Sequence, residues 1–120
     1  MSGNWFCEVT KVIKSIKHPN ADSLSIITLF SDYQVITRLD EFKEGDLVAY
    51  FAVDSILPDK PEFSFLDSKS RKRLKAKRLR GVFSMGLVIK APDNFNEDDS
   101  VIDHYGITRF IPLEERDGYR

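Results

Sequence analysis

LVAYFAV, residues 47–53, is an apolar run with no polar interruption. A strand that is covered on both faces reads as a continuous apolar run, whereas a half-exposed strand alternates apolar and polar residues. The run is far shorter than the roughly 20 residues that a membrane-spanning helix needs. It therefore predicts a central, buried β-strand.

Shorter strand-like segments lie on both sides of this run. LSIITLF (24–30) and YQVITRL (33–39) are rich in β-branched residues and are separated by Ser31-Asp32, so they predict a hairpin. Residues 8–16 predict an earlier strand, and VFSMGLVIK (82–90) predicts the last one, with a bulge or close backbone contact at Gly86.

About five strands, with no alternation between strands and helices, argue against a parallel α/β fold. We predict a mainly all-β domain: a five-stranded, OB-fold-like antiparallel barrel with one or two short helices. Apolar residues of the strand segments should be mostly buried. The expected core is Val9, Ile26, Leu29, Val35, Val48, Phe51, Val53, Leu87 and Ile89.

The size and cysteine content limit the class of protein. A chain of 120 residues forms one domain of ordinary size. The single cysteine, Cys7, excludes an internal disulfide framework and a thiolate metal cluster. No signal peptide or membrane span is visible, so we expect a cytoplasmic protein with no membrane partner.

Positive charge is concentrated in one segment of the chain. The twelve residues 69–80, which we name the basic segment, hold eight Lys and Arg and no acid. The rest of the chain carries 10 basic and 19 acidic residues, although the whole chain has a net charge of only −1. This polarity favours a polyanionic partner, and the expected nucleic-acid contacts are Lys72, Lys75, Lys77, Arg78 and Arg80.

If the chain beyond Lys75 is extended, Lys75 and Lys77 should share one face, and Arg78 and Arg80 the opposite one. Aromatic side chains stack on bases, but most strand aromatics of a small barrel belong to the core. Tyr33, beside a polar turn, is the best candidate for an exposed ring that binds nucleic acid.

The sequence has no recognisable catalytic motif. His18 and His104 lack metal-ligand spacing, and Cys7 has no neighbouring histidine in the sequence. No phosphate-binding glycine loop is visible. We expect no catalytic residue, no metal site and no cofactor in this chain.

Two motifs resemble the tRNA-binding OB modules that are appended to some aminoacyl-tRNA synthetases. His18-Pro19-Asn20-Ala21-Asp22-Ser23-Leu24 is similar to their H-P-N-A-D-x-L motif. Arg80-Gly81-Val82-Phe83-Ser84-Met85-Gly86-Leu87 is similar to R-G-x-x-S-x-G-M, with Leu87 in place of the methionine.

A longer series of blocks resembles the N-terminal OB domain of the Deinococcus/Naegleria-type ATP-dependent RNA ligases. The blocks occur in order, and they cover nearly the whole chain. They are EGDLVAYFAVDSILP (44–58), FSFL (63–66), RLRGVFSMGL (78–87) and YGITRFIP (105–112).

The ligase resemblance implies an OB domain over residues 1–92 and a C-terminal extension, residues 93–120, that leads toward a missing nucleotidyltransferase domain. It implies a domain that holds a nicked RNA or RNA–DNA duplex with an RNA 3′-OH end, while a nucleotidyltransferase domain in cis or in trans seals the nick. ATP and Mg²⁺ are implied for the full ligase only, since no position here matches the family's catalytic lysine. The alternatives are a tRNA-binding module and an OB-like protein-interaction domain.

Overall fold

The strands of this protein form small antiparallel sheets, and two apolar clusters make up the core. The computed structural model describes residues 5–30 and 33–111. Its strands are β1 (Cys7–Lys11), β2 (Lys14–Lys17), β3 (Leu24–Leu29), β4 (Tyr33–Arg38), β5 (Leu47–Phe51), β6 (Ser55–Ile56), β7 (Lys77–Leu79), β8 (Val82–Ser84), β9 (Leu87–Lys90) and β10 (Thr108–Arg109). Its helices are α1 (Ser68–Lys72), α2 (Ile102–Tyr105) and a 3-10 turn (Pro61–Phe63).

β5 is central, as the apolar run predicts. It lies between β1 and β9 in a three-stranded antiparallel sheet. Ala49 and Phe51 pack in one apolar cluster, and Val48 and Tyr50 pack in another. Both faces of the sheet are therefore covered, which explains why this strand has no polar alternation.

The second sheet has the order β2-β3-β4, and it contains the predicted hairpin. Its inner face contributes Ile27, Leu29 and Val35 to the core cluster that also holds Val48 and Tyr50. β7 pairs with β8, and β6 with β10, in two further two-stranded sheets.

The mainly β architecture is confirmed, but strand pairing does not close a single five-stranded barrel in the described part of the chain. β8 is held beside β4 by two hydrogen bonds, Met85 N to Gln34 O (2.8 Å) and Ile36 N to Ser84 Oγ (3.0 Å). Gly86 then takes a φ of 122°. The predicted last strand is thus split into β8 and β9, and each half pairs with a different neighbour.

The predicted core is largely correct. Six of the nine residues are buried: Val9, Ile26, Leu29, Val35, Val48 and Phe51. Val53, Leu87 and Ile89 are half-buried. Val53 is less buried than expected because β5 ends at Phe51 and the chain turns there.

The residues after β9 pack back onto the core. The amide of Val9 donates to the Asp99 carbonyl (2.8 Å), and Val101 and Tyr105 are buried in the cluster of Phe51. The Tyr105 ring lies edge-on to the Phe51 and Phe63 rings, at 5.7 and 5.4 Å between centroids. The boundary between an OB domain and a C-terminal extension at residue 92 stays a prediction. The last part of that extension, residues 112–120, lies outside the described residues.

Candidate nucleic-acid interface

The five cations that were predicted to bind nucleic acid all face solvent. Lys72 ends α1, Lys75 lies in the following loop, and Lys77 and Arg78 belong to β7. Arg80 lies in the turn between β7 and β8. Exposed cations on a short helix and a hairpin are free to meet phosphate oxygens without being desolvated first.

Two other arginines of the basic segment act inside the fold. Arg71 donates from Nη1 to the Leu66 carbonyl (2.8 Å). Arg73 donates from Nε to Asp54 Oδ1 (2.9 Å), and its guanidinium lies 4.2 Å above the Phe110 ring. Both side chains are half-buried. The charge run thus divides into arginines that hold the segment in place and cations that remain available.

The basic segment continues into the hairpin of β7 and β8. Arg80 and Gly81 form its two-residue turn with φ values of 51° and 90°, which matches the type I′ geometry favoured in tight hairpins. The expectation that Arg78 and Arg80 share a strand face is wrong, because Arg80 occupies the turn. Arg78 instead lies over its cross-strand partner Phe83, 5.6 Å from the ring centroid.

Lys75 and Lys77 both line a groove of about 440 Å³ between the hairpin and the β4 edge. Its apolar floor includes Leu66, Leu74 and Leu79. That Lys75 and Lys77 share a strand face stays a prediction, because Lys75 precedes β7 and its neighbour Leu74 lines the same groove.

The turn that contains His18 anchors the hairpin. His18 is completely buried (0% exposed). The Asn20 amide donates to Nδ1, so the proton resides on Nε2, which donates to the Leu79 carbonyl; both distances are 2.9 Å. The Asn20 side chain adds a bond from Nδ2 to the Arg80 carbonyl (3.0 Å). The two motifs that resemble tRNA-binding modules therefore contact each other.

Tyr33 belongs to a separate cluster. Its ring packs edge-on against Phe30 (5.4 Å between centroids) and Tyr50 (6.1 Å), and it is 37% exposed. The expectation that strand aromatics are buried holds for Tyr50 and Phe51 but is wrong for Phe83, which is 54% exposed.

The residues considered for catalysis have structural surroundings. Cys7 is buried, with Sγ 3.3 Å from Ser55 Oγ, and burial raises the pKa of its thiol. The His104 ring contacts Phe95 and Tyr105. Within residues 5–30 and 33–111, no group of three or more His, Cys, Asp or Glu is placed to hold a metal ion. In the same part of the chain, no helix is long and apolar enough to cross a membrane.

Several residues that shape the candidate interface were not identified from the sequence. Ser84 anchors β8 on β4, while Met85 and Arg109 line a pocket beside Tyr33. Ser84 and Met85 lie in the motif at residues 80–87, so that motif could have pointed to them. Arg109 comes from a distant strand, and its neighbours depend on the tertiary fold alone.

Comparisons with known proteins agree with this geometry. A family model described as an OB-fold domain matches residues 6–91, which confirms the OB-fold prediction. The structure is similar to that of a mutant Naegleria gruberi RNA ligase with AMP and Mn, with a TM-score of 0.77 and 26% identity over 91% of this chain. A second mutant with AMP and Mn also gives a TM-score of 0.77 and 26% identity, over 89% of this chain. The structure of the Naegleria gruberi RNA ligase with PPi gives a TM-score of 0.73 and 25% identity over 91% of this chain.

This chain spans only about a third of those ligase structures, 36%, 35% and 36% of their lengths respectively. Among curated proteins, none matches it. The predicted resemblance to the RNA ligase OB domain is confirmed at the level of fold and of overall similarity.

Proposed function

Because the chain belongs to the OB-fold domain family, we propose that it is an RNA-binding OB module of an ATP-dependent RNA ligase. In this proposal it holds a nicked duplex with an RNA 3′-OH end, and a nucleotidyltransferase domain in cis or in trans performs the sealing. The observation that carries the proposal is the set of five solvent-facing cations on a fold similar to that of an RNA ligase. ATP and Mg²⁺ belong to the full ligase in this scheme.

The physical basis is phosphate neutralisation. Lys and Arg contacts to phosphates release condensed counterions, and this release supplies most of the non-specific binding energy. Duplex RNA is recognised mostly through its shape, its 2′-hydroxyls and its phosphates. An exposed basic hairpin suits that mode, so we expect little base specificity in duplex binding.

The tRNA-binding module is the second candidate, and one observation favours it. The turn of His18 and Asn20 bonds directly to Leu79 and Arg80, so the two motifs shared with those modules form one structural unit. The ligase assignment is preferred because the resemblance extends over the blocks at 44–58 and 63–66 as well.

The double substitution Lys75→Glu/Lys77→Glu tests the RNA-binding surface. Reversing two exposed charges should weaken binding to duplex RNA by at least about tenfold at low salt, and equally for unrelated sequences, because phosphate contacts carry no base information. Surface substitutions usually change stability by less than about 0.5 kcal/mol, so the thermal midpoint should stay nearly constant. Fluorescence anisotropy with a labelled duplex measures the affinity.

A matched control is Lys14→Glu/Lys43→Glu, which makes the same charge change at two exposed lysines outside the basic segment. It should weaken binding much less. Equal losses in the two double variants would refute a localised site. Undiminished binding by Lys75→Glu/Lys77→Glu would favour the protein-interaction alternative for this face.

A further inference from the structure

A small aromatic pocket lies beside the basic segment. It is formed where β1 and β4 begin and β5 ends, and it has a volume of about 200 Å³. It combines aromatic rings with a thioether and a guanidinium, a lining suited to the flat, polar-edged ring of a nucleobase. Its principal lining residues are Trp5, Phe6, Tyr33, Tyr50, Met85 and Arg109.

Tyr50 is a fixed part of this lining. Its hydroxyl donates to the Met85 carbonyl (2.6 Å), and burial raises the pKa of Tyr50, so it remains a neutral donor. Gly86 allows this approach: a Cβ there would lie 2.8 Å from Tyr50 Cε1 and 2.5 Å from the Phe51 carbonyl oxygen. The pocket therefore depends on a glycine that belongs to the second motif.

Tyr33 is the accessible ring of the cluster. Edge contacts with Phe30 and Tyr50 restrict its orientation, yet more than a third of the residue is exposed. A ring that is already oriented loses little conformational entropy when a base stacks on it. This combination distinguishes Tyr33 from Tyr50 and Phe6, which are buried or half-buried.

Two contacts connect the lining of the pocket to the basic segment. Met85 directly follows Ser84, the cross-strand partner of Lys77, and the Met85 amide donates to the Gln34 carbonyl beside Tyr33 (2.8 Å). Asp54, which also lines the pocket, forms an ion pair with Arg73 (2.9 Å). An RNA strand with a phosphate on Lys77 would therefore have a neighbouring base close to the pocket.

We propose that the aromatic pocket binds an unpaired nucleobase of an RNA strand, stacked on Tyr33, while the neighbouring phosphates contact the basic segment. This inference rests on the proposed function and adds a ligand class to it: an RNA with an unpaired base next to its backbone contacts. The exposed guanidinium of Arg109 supplies hydrogen-bond donors at the pocket for the polar edge of the base or a phosphate.

A single-stranded oligoribonucleotide that carries a 2-aminopurine base tests this site, because stacking on an aromatic ring quenches its fluorescence. Wild-type protein should quench the probe. Tyr33→Ala should abolish the quenching and weaken binding about 5- to 140-fold, which corresponds to the loss of one base–aromatic stack. Tyr33→Phe keeps the ring, so it should retain both signals.

Phe83→Ala is the matched control, since Phe83 is an exposed aromatic that does not line the pocket. It should leave the quenching intact. Loss of quenching in Phe83→Ala but not in Tyr33→Ala would overturn the pocket assignment, and so would unchanged affinity and quenching in Tyr33→Ala.

A blunt RNA duplex separates this proposal from the proposed function. Tyr33→Ala should bind the duplex like the wild type, because no unpaired base is available. If the wild type binds the duplex but Tyr33→Ala changes neither the affinity nor the quenching of the 2-aminopurine probe, the pocket proposal alone is refuted. Failure of the wild type to bind either RNA would refute both proposals.

Discussion

Gly86→Ala should lower the free energy of unfolding by about 3 kcal/mol or more. Gly86 has a φ of 122°, and an added Cβ would lie 2.5 Å from the Phe51 carbonyl oxygen and 2.8 Å from Tyr50 Cε1. The backbone strain costs about 1–3 kcal/mol, and overpacking in the core costs a similar amount. Urea unfolding followed by circular dichroism measures the loss.

Gly45→Ala is the control for the backbone contribution. Gly45 also has a positive φ, 92°, but nothing lies within 4 Å of the position its Cβ would take. Gly45→Ala should lower the free energy of unfolding by less than Gly86→Ala, by about 1–3 kcal/mol, because it carries the backbone strain without the clash. Equal losses at the two glycines would contradict the claim that close approach to Tyr50 and Phe51 makes Gly86 necessary.

His18→Ala should destabilise the domain by about 2–4 kcal/mol and weaken RNA binding, although it removes no charge from the basic segment. The substitution leaves a cavity at a completely buried site and removes the bonds to the Leu79 carbonyl and the Asn20 amide. A hairpin without this anchor should place fewer cations against phosphates at once. The dependence of log K on log salt should therefore become shallower by about one unit or more.

His18→Gln distinguishes the role of His18 in positioning the hairpin from its contribution to the stability of the domain. Glutamine keeps an amide donor near the position of Nε2, so it should preserve more RNA affinity than alanine. Both variants are compared at a temperature where circular dichroism shows them folded. An unchanged salt slope in folded His18→Ala would show that the turn only stabilises the domain and does not position the hairpin.

The sequence predicted the parts of the fold that depend on local pattern. The run at 47–53 identified the buried central strand, and β-branched segments identified β3 and β4. Gly86 was correctly expected at a bulge or close backbone contact. The motifs also marked the residues that join the first turn to the hairpin, although not what they do there.

The sequence could not show which members of a charge run are free. Arg71 and Arg73 look like their neighbours, and only the positions of Leu66 and Asp54 reveal that both are engaged within the fold. The burial of His18 depends on a hairpin whose contact residue, Leu79, lies 61 residues away in the sequence. The neighbours of Tyr33 likewise come from distant segments, so the aromatic pocket was not predictable.

The salt dependence of duplex RNA binding by the wild-type chain tests the central claim most directly. If three or four of the exposed cations contact phosphates, log K should fall linearly with log salt, with a slope of roughly −2 to −4. Titrations with one labelled duplex at several potassium chloride concentrations give this slope. A slope near zero, or no binding at low salt, would contradict the assignment of the basic segment as a nucleic-acid interface.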